Sequence, residues 1–274
     1  MANRTGEIPD GEAKKILARA RDAAINTLDT AIAYGVSESR LGALGIEDFG
    51  VITKLPPYAG PQSGVAAWAR EQVNGSLRRL RLPRLKGLLL HKSRQLLEPA
   101  GEDLYSALVA MKADGLVEQI GISLYDPGEL DQLWTRFPLD VVQAPFNVVD
   151  RRMLTSGWLL RLQSSGVEFH ARSAFLQGLL LMPYAERPAA FARWSPLWEA
   201  WHRWLREQDS TALQACLAFV LSQEGVDRIV VGVDTLNQFD EILRSVEAAA
   251  PTINPPLSLA SEDADLVNPS HWGS

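Results

Sequence analysis

The sequence predicts an α/β fold of the (β/α)8 barrel type, and three observations carry that expectation. Seven short apolar runs alternate with helical patterns along the 274 residues. The runs are apolar on both faces, as strands covered by helices are, which implies parallel pairing through right-handed crossovers. Polar residues recur at their C-terminal ends: Asp29, Lys54, His91, Ser123, Gln143 with Asn147, and Arg172 with Ser173. A barrel gathers such ends onto one face, where barrel active sites lie; an open sheet would scatter them. No G-x-G-x-x-G opens a helix, so the dinucleotide fingerprint of a doubly wound sheet is missing.

The elements follow in order. A first helix capped by Asp10 turns Ile16, Leu17, Ala20 and Ala24 to one face. Strands are expected at 25–29, 51–55, 86–91, 119–123, 140–145, 167–171 and 228–233. A small capped helix follows Tyr34, and longer ones fit 65–80, 102–116, 128–136, 151–165, 194–223 and 236–248. Gly115, Gly128 and Gly166 punctuate helix ends, and the 194–223 pattern should break near Asp209 and Ser210. Seven of eight strands are identifiable. The segment before Asp10 offers one Ile and one Pro among polar residues, so the first strand is missing. The sheet edge exposed there would favour pairing with a second copy of the chain. Residues 1–274 read as a single domain, with 249–274 an irregular C-terminal extension packed on the barrel.

Composition narrows the function. The chain is 46% hydrophobic and 22% charged with a net charge of −6, and its bases are scattered. No basic stripe is present for nucleic acid or an anionic membrane. Cys216 is the only cysteine, and His170, His202 and His271 lack ligand spacing, so no metal is expected. No signal peptide opens the sequence and no apolar stretch reaches membrane-spanning length. A cytoplasmic location is the expectation.

Asp29 and Tyr34, Lys54, and His91 lie at three successive strand ends. A phenol with its ordinary pKa near ~10 is a poor acid at neutral pH. A nearby ammonium stabilises the phenolate, and a carboxylate beside the ammonium keeps it charged and in place. An imidazole could orient a carbonyl oxygen or assist the proton. The group suits protonation of the alkoxide formed when hydride reaches a carbonyl. Taken singly, each residue has an ordinary structural reading: a turn Asp, a loop Tyr, a solvated Lys, a hydrogen-bonded His.

The segment D-T-A-x-x-Y-G-x-S-E-x-x-L-G, from Asp29 to Gly42, resembles the signature of the aldo-keto reductase family. Lys54 and His91 fall where that family's Lys and His occur. IGIS with Ser123, VVQAPFNVVDRR with Gln143 and Asn147, ARSAFLQGLL from Ala171, and VVGV from Val230 follow in order. The resemblance spans roughly residues 10–250. It implies a (β/α)8 barrel that binds NADPH or NADH without a Rossmann fold and reduces aldehydes or ketones, sugar-like ones included. By that resemblance Tyr34 is the general acid, Asp29 and Lys54 tune it, and His91 positions a small-molecule carbonyl substrate. Ser123 and Gln143 would hold the nicotinamide carboxamide. Arg172, where many members have a stacking Tyr, would stack or meet a phosphate. Ser173, Phe175, Gln177, Gly232, Val233, Asp234, Gln238 and Glu241 complete the implied cofactor set. Members preferring NADP carry Lys or Arg around the turn after the last strand. Here the turn holds Asp234, Gln238, Asp240 and Glu241, with no base before Arg244. A carboxylate there repels a 2′-phosphate and suits ribose hydroxyls.

Trp194, Trp198, Trp201 and Trp204 form one helical stripe, which reads as core packing or as a lid or oligomer contact. Two functions follow: a carbonyl reductase, or a family relative that has lost cofactor binding and serves in binding or assembly. Retention of Asp29, Tyr34, Lys54 and His91 together favours the enzyme.

Overall fold

The computed structural model describes residues 7–248 and 253–272. Helix α1 (Asp10–Asp22) buries Leu17 and Ala20, while Ala24 lies beyond its end at φ 56° and exposed, not on the buried face. The chain then alternates β1 (Thr27–Asp29), α2 (Ser37–Leu44), β2 (Gly50–Leu55), α3 (Val65–Leu80) and β3 (Leu85–Leu90). It continues with α4 (Gly101–Ala113), β4 (Val117–Ser123), α5 (Gly128–Leu133) and β5 (Val141–Pro145). Then come α6 (Arg152–Thr155), α7 (Trp158–Ser164), β6 (Glu168–Arg172), α8 (Ser195–Glu207) and α9 (Ala212–Leu221). Strand β7 (Arg228–Ile229), α10 (Leu236–Glu247) and α11 (Ala264–Val267) complete the order. The seven strands follow one another in the sheet as β1-β2-β3-β4-β5-β6-β7, and β1–β2, β2–β3, β3–β4, β4–β5 and β6–β7 pair in parallel. This is the expected barrel-type α/β fold, with seven strands among the described residues.

Two strands fall short of expectation in an informative way. Among the described residues β1 and β7 each have one hydrogen-bonded neighbour in the strand order, and they are three and two residues long. The expected strand 228–233 keeps only Arg228–Ile229, although the Val230 amide still donates to Ala171 O at 2.8 Å. Apolar composition favours a strand, but ladder length is set by the register with the neighbour, and β6 pairs with β7 only at His170–Arg228 and Ala171–Ile229. The helix expected over 151–165 is two, because Gly157 takes φ 78° between α6 and α7. A left-handed residue ends the i→i−4 pattern there. The break near Asp209 occurs as expected; Asp209 adopts φ 47°, and a Thr211/Gln214 capping box starts α9.

The described residues form two compact units. The first comprises Ala13–Gln143 and Gly166–Glu168. Its inner strands are buried almost without exception, and Ile52, Leu89 and Val141 form a cluster on β2, β3 and β5. Helices α2 and α3 touch at Gly42, where a Cβ would lie 2.1 Å from the Arg79 carbonyl oxygen. Only glycine permits that approach.

The second unit comprises the described residues up to Glu12, then Ala144–Ser165 and Phe169 onward. Phe146 stacks on Phe219 at 5.5 Å between centroids and meets Phe169 edge-on. In α8 the indoles of Trp198, Trp201 and Trp204 are buried. Two of the polar edges are satisfied by backbone: Trp198 Nε1 donates to Phe191 O and Trp201 Nε1 to Leu180 O, both at 3.0 Å. The tryptophan stripe is therefore core, and the lid reading does not apply to these three rings. The described part of the C-terminal extension is packed rather than loose, and partly helical. Arg151 donates to the carbonyls of Pro255 and Pro256, and the Ser261 amide to Val149 O. Residues 249–252 and 273–274 of that extension lie outside the described residues.

Candidate active site

In the first unit, parallel pairing sets β1, β2 and β3 in register, so their C-terminal ends arrive together. Asp29 closes β1, Lys54 is the penultimate residue of β2, and His91 directly follows β3. The Lys54 side chain is 2% exposed, which an ammonium tolerates only when paired and hydrogen-bonded. Its Nζ donates to Asp29 Oδ1 and to the Thr30 carbonyl oxygen at 3.0 Å. Gln143 Nε2 donates to the other Asp29 oxygen at 2.8 Å. The carboxylate is thus fixed from two strands, β2 and β5.

Tyr34 lies on the turn between β1 and α2, and half its surface is exposed. The Lys54 ammonium lies 5.6 Å from the centroid of its ring. His91 meets the same ring edge-on, with centroids 5.8 Å apart and planes at 80°. The phenol is therefore open to solvent on one side and flanked by a buried cation and an imidazole on the other. Asp29, Tyr34, Lys54 and His91 are brought together. Ser123 and Gln143 pair across β4 and β5, both buried. Gln143 serves Asp29 here, a link that sequence reasoning did not supply.

The remaining predicted residues belong to the second unit. Arg172 ends β6 and is followed by a backbone with three non-glycine residues in left-handed conformation: Ser173 (φ 56°), Leu176 (φ 48°) and Gln177 (φ 53°). Each costs free energy relative to ordinary backbone, so surrounding contacts must hold it. Asn147 Nδ2 donates to Ser173 O at 3.0 Å, and Gln177 Nε2 reaches Ser173 Oγ at 3.3 Å. Phe175 supplies the carbonyl that the Gly178 amide bonds at 2.9 Å. Nearby in sequence, Asp150 is buried and paired with Arg152 at 2.8 Å. Burial pushes its carboxyl up, against the opposing pull of Arg152 and Arg172.

Gly232, Val233 and Asp234 form the irregular segment between β7 and α10, and Gln238 and Glu241 occupy the first two turns of α10. The amides at this helix start are already engaged. Thr235 Oγ1 caps the Gln238 amide, Gln238 Oε1 accepts from the Asp234 amide at 2.8 Å, and Glu12 Oε1 accepts from the Leu236 amide at 2.7 Å. Glu12, from α1, thus adds an acid to a turn that already holds Asp234, Asp240 and Glu241.

The profile of the Aldo/keto reductase family matches residues 1–252. The chain belongs to the aldo/keto reductase family. Membership makes it an oxidoreductase of the carbonyl-reducing kind. An uncharacterized oxidoreductase of Schizosaccharomyces pombe is 25% identical over 232 residues, 81% of this chain and 69% of that protein. Among solved structures, the aldo-keto reductase AKR11C1 of Bacillus halodurans, in its holo form, aligns with a TM-score of 0.73 at 22% identity. The alignment covers 90% of this chain and 85% of that one. A putative aldo-keto reductase of Pseudomonas aeruginosa aligns at 0.67 and 24% identity, over 91% and 85% of the two chains. At such identities these structures establish the shared fold.

Two residues that matter to the geometry were not assigned a role from sequence. Thr30 supplies the carbonyl that holds Lys54, and its hydroxyl lies 3.0 Å from that of Ser37. Glu38 is 2% exposed although it occupies the first turn of a helix, where acids are ordinarily solvated. Among the described residues no three His, Cys, Asp or Glu side chains converge as metal ligands, and no helix is long and apolar enough to cross a membrane.

Proposed function

We propose that this aldo/keto reductase reduces small aldehydes or ketones, sugar-like ones included, with Tyr34 as the general acid and NADH as the favoured hydride donor. The observation that carries the reading is the buried Lys54 ammonium, paired with Asp29 and lying under the ring of an exposed Tyr34. When bound, the nicotinamide supplies a hydride to the carbonyl carbon. The electron pair of the C=O bond then passes to oxygen, which takes the proton of Tyr34 Oη. Lys54 stabilises the phenolate left behind, Asp29 and the Thr30 carbonyl keep Lys54 in place, and His91 orients the substrate oxygen.

The residues present suit a nicotinamide nucleotide without a 2′-phosphate. Ser123 and Gln143 offer polar groups for the carboxamide, and Arg172, Ser173, Phe175 and Gln177 are assigned to the cofactor on the family resemblance. Gly232, Val233, Asp234, Gln238 and Glu241 are assigned to its adenosine end on the same ground. Asp234 and Glu12 would repel a phosphate dianion at the start of α10 and leave ribose hydroxyls the better partner. Titration of the eight tryptophans' fluorescence with each cofactor tests this. NADH should saturate the signal at lower concentration than NADPH and should be consumed with para-nitrobenzaldehyde. No saturable response to either cofactor would overturn the reductase reading, and tighter NADPH binding would overturn the assignment of the acids.

A further inference from the structure

Glu38 is engaged by three residues on two other elements. One carboxylate oxygen accepts from Thr53 Oγ1 at 2.7 Å and Ser76 Oγ at 2.9 Å. The other accepts from Arg79 Nε at 2.8 Å and pairs with Arg79 Nη2 at 2.7 Å. Thr53 lies on β2, Ser76 and Arg79 on α3, and Glu38 itself on α2. A carboxylate that buries its charge this way is held by charge-assisted bonds in fixed directions. An exposed Glu at the same place would favour the helix just as well through the macrodipole. Helix stability alone therefore does not explain the burial.

The position of Thr53 does. Successive side chains of a strand point to opposite faces. Lys54 turns its ammonium towards Tyr34, so Thr53 turns its hydroxyl towards the helix layer and Glu38. The segment that carries Tyr34, between β1 and α2, is tied to β2 at both ends. At its start, the Thr30 amide donates to Ile52 O at 2.8 Å and the Ile32 amide to Lys54 O at 3.2 Å. Within it, the Tyr34 amide bonds Ala31 O and the Ser37 amide bonds Tyr34 O. At its end, Glu38 grips Thr53, one residue before the lysine. Tyr34 is 51% exposed, so burial does not set the place of its ring.

We infer that Glu38 is a positioning residue that fixes Tyr34 over Lys54 by tying α2 to the strand that carries the lysine. The inference rests on the reading of Tyr34 as proton donor. It acts through geometry: loosening α2 moves the phenol away from the ammonium and leaves cofactor affinity alone.

The test uses the full chain with NADH and para-nitrobenzaldehyde, and compares Glu38→Gln, Thr53→Val and Tyr34→Phe. Glu38→Gln keeps the shape and removes the charge; it should lower kcat by up to about 100-fold with KM for NADH unchanged, as small misplacements of a reacting group do. The ionisation of Tyr34, followed by tyrosinate absorbance and identified by its loss in Tyr34→Phe, should move up in pH as the ammonium withdraws. Thr53→Val removes one bond and should shift both readouts the same way by less, which keeps the test available if Glu38→Gln does not fold. A lower melting temperature with unchanged kcat and unchanged Tyr34 ionisation would overturn the inference and leave Glu38 a purely structural role. An inactive Tyr34→Phe beside a fully active Glu38→Gln would overturn the inference and spare the reading of Tyr34. Full turnover in Tyr34→Phe would overturn both.

Discussion

The two units hold their functional residues by different means. In the first, charged side chains are over-determined: Lys54 has two acceptors, Asp29 two donors, and Glu38 hydroxyl and guanidinium partners on two further elements. In the second, backbone does the holding. Ser173, Leu176 and Gln177 adopt left-handed conformations in sequence, and the polar side chains around α10 cap its own amides. Proton transfer needs fixed charges at fixed distances, so ion pairs are the suitable means. Under the proposed function the second unit holds an extended cofactor, and such a surface needs an unusual chain path, which strained backbone provides.

Substitutions can break each arrangement separately. Lys54→Met leaves Asp29 part-buried without its cation, and removal of one member of a buried pair costs about 3–5 kcal/mol. Thermal melting should fall by a corresponding amount, and turnover should be lost with it. Trp201→Ala in α8 removes a fully buried indole whose Nε1 bonds Leu180 O, a change that costs about 3–5 kcal/mol. Denaturant titration should show that loss, while the folded fraction keeps its turnover, because Trp201 belongs to packing and not to chemistry. Equal loss of turnover from both variants would show the comparison to be drawn too sharply.

A smaller effect distinguishes the second unit by pH. Burial, together with Arg187 and Arg206, lowers the pKa of His202, whose Nε2 has no hydrogen-bond partner among the described residues. The unfolded chain therefore binds the proton more readily than the folded one. Stability from this source is full above the ordinary histidine value of about 6.5 and declines as pH falls through it, levelling below the folded-state pKa. His202→Phe should flatten that acid limb in a melting-temperature profile. A limb as steep as in the unaltered protein would assign the acid sensitivity elsewhere.

What could be read from sequence follows the same division. Lys54, His91 and Ser123 stand out in the sequence because strands buried on both faces make any polar residue at their ends conspicuous, whereas β1 is only half-buried and Asp29 stands out through the motif it shares with Tyr34. Helix α3 was placed to the residue by its apolar period. The pattern over 151–165 predicts an unbroken helix through Gly157 because a single glycine is tolerated within one, and its left-handed conformation is a tertiary outcome. The strand composition of IVVGV predicts a longer β7 than the structure has, because ladder length depends on neighbours. Glu38 gave no sign of burial, since its partners Thr53, Ser76 and Arg79 are scattered over two other elements. Left-handed Ser173 and Gln177 gave none either, as neither residue type demands that conformation.

Tyr34→Phe removes one hydroxyl from a half-exposed ring beside Lys54 and His91 and tests the role of Tyr34 most directly. Turnover of para-nitrobenzaldehyde with NADH, and NADH binding by tryptophan fluorescence, should be measured on the same preparation. Loss of a general acid predicts a fall in kcat of about 10²–10⁴-fold with NADH affinity unchanged. A kcat equal to that of the unaltered protein would contradict it.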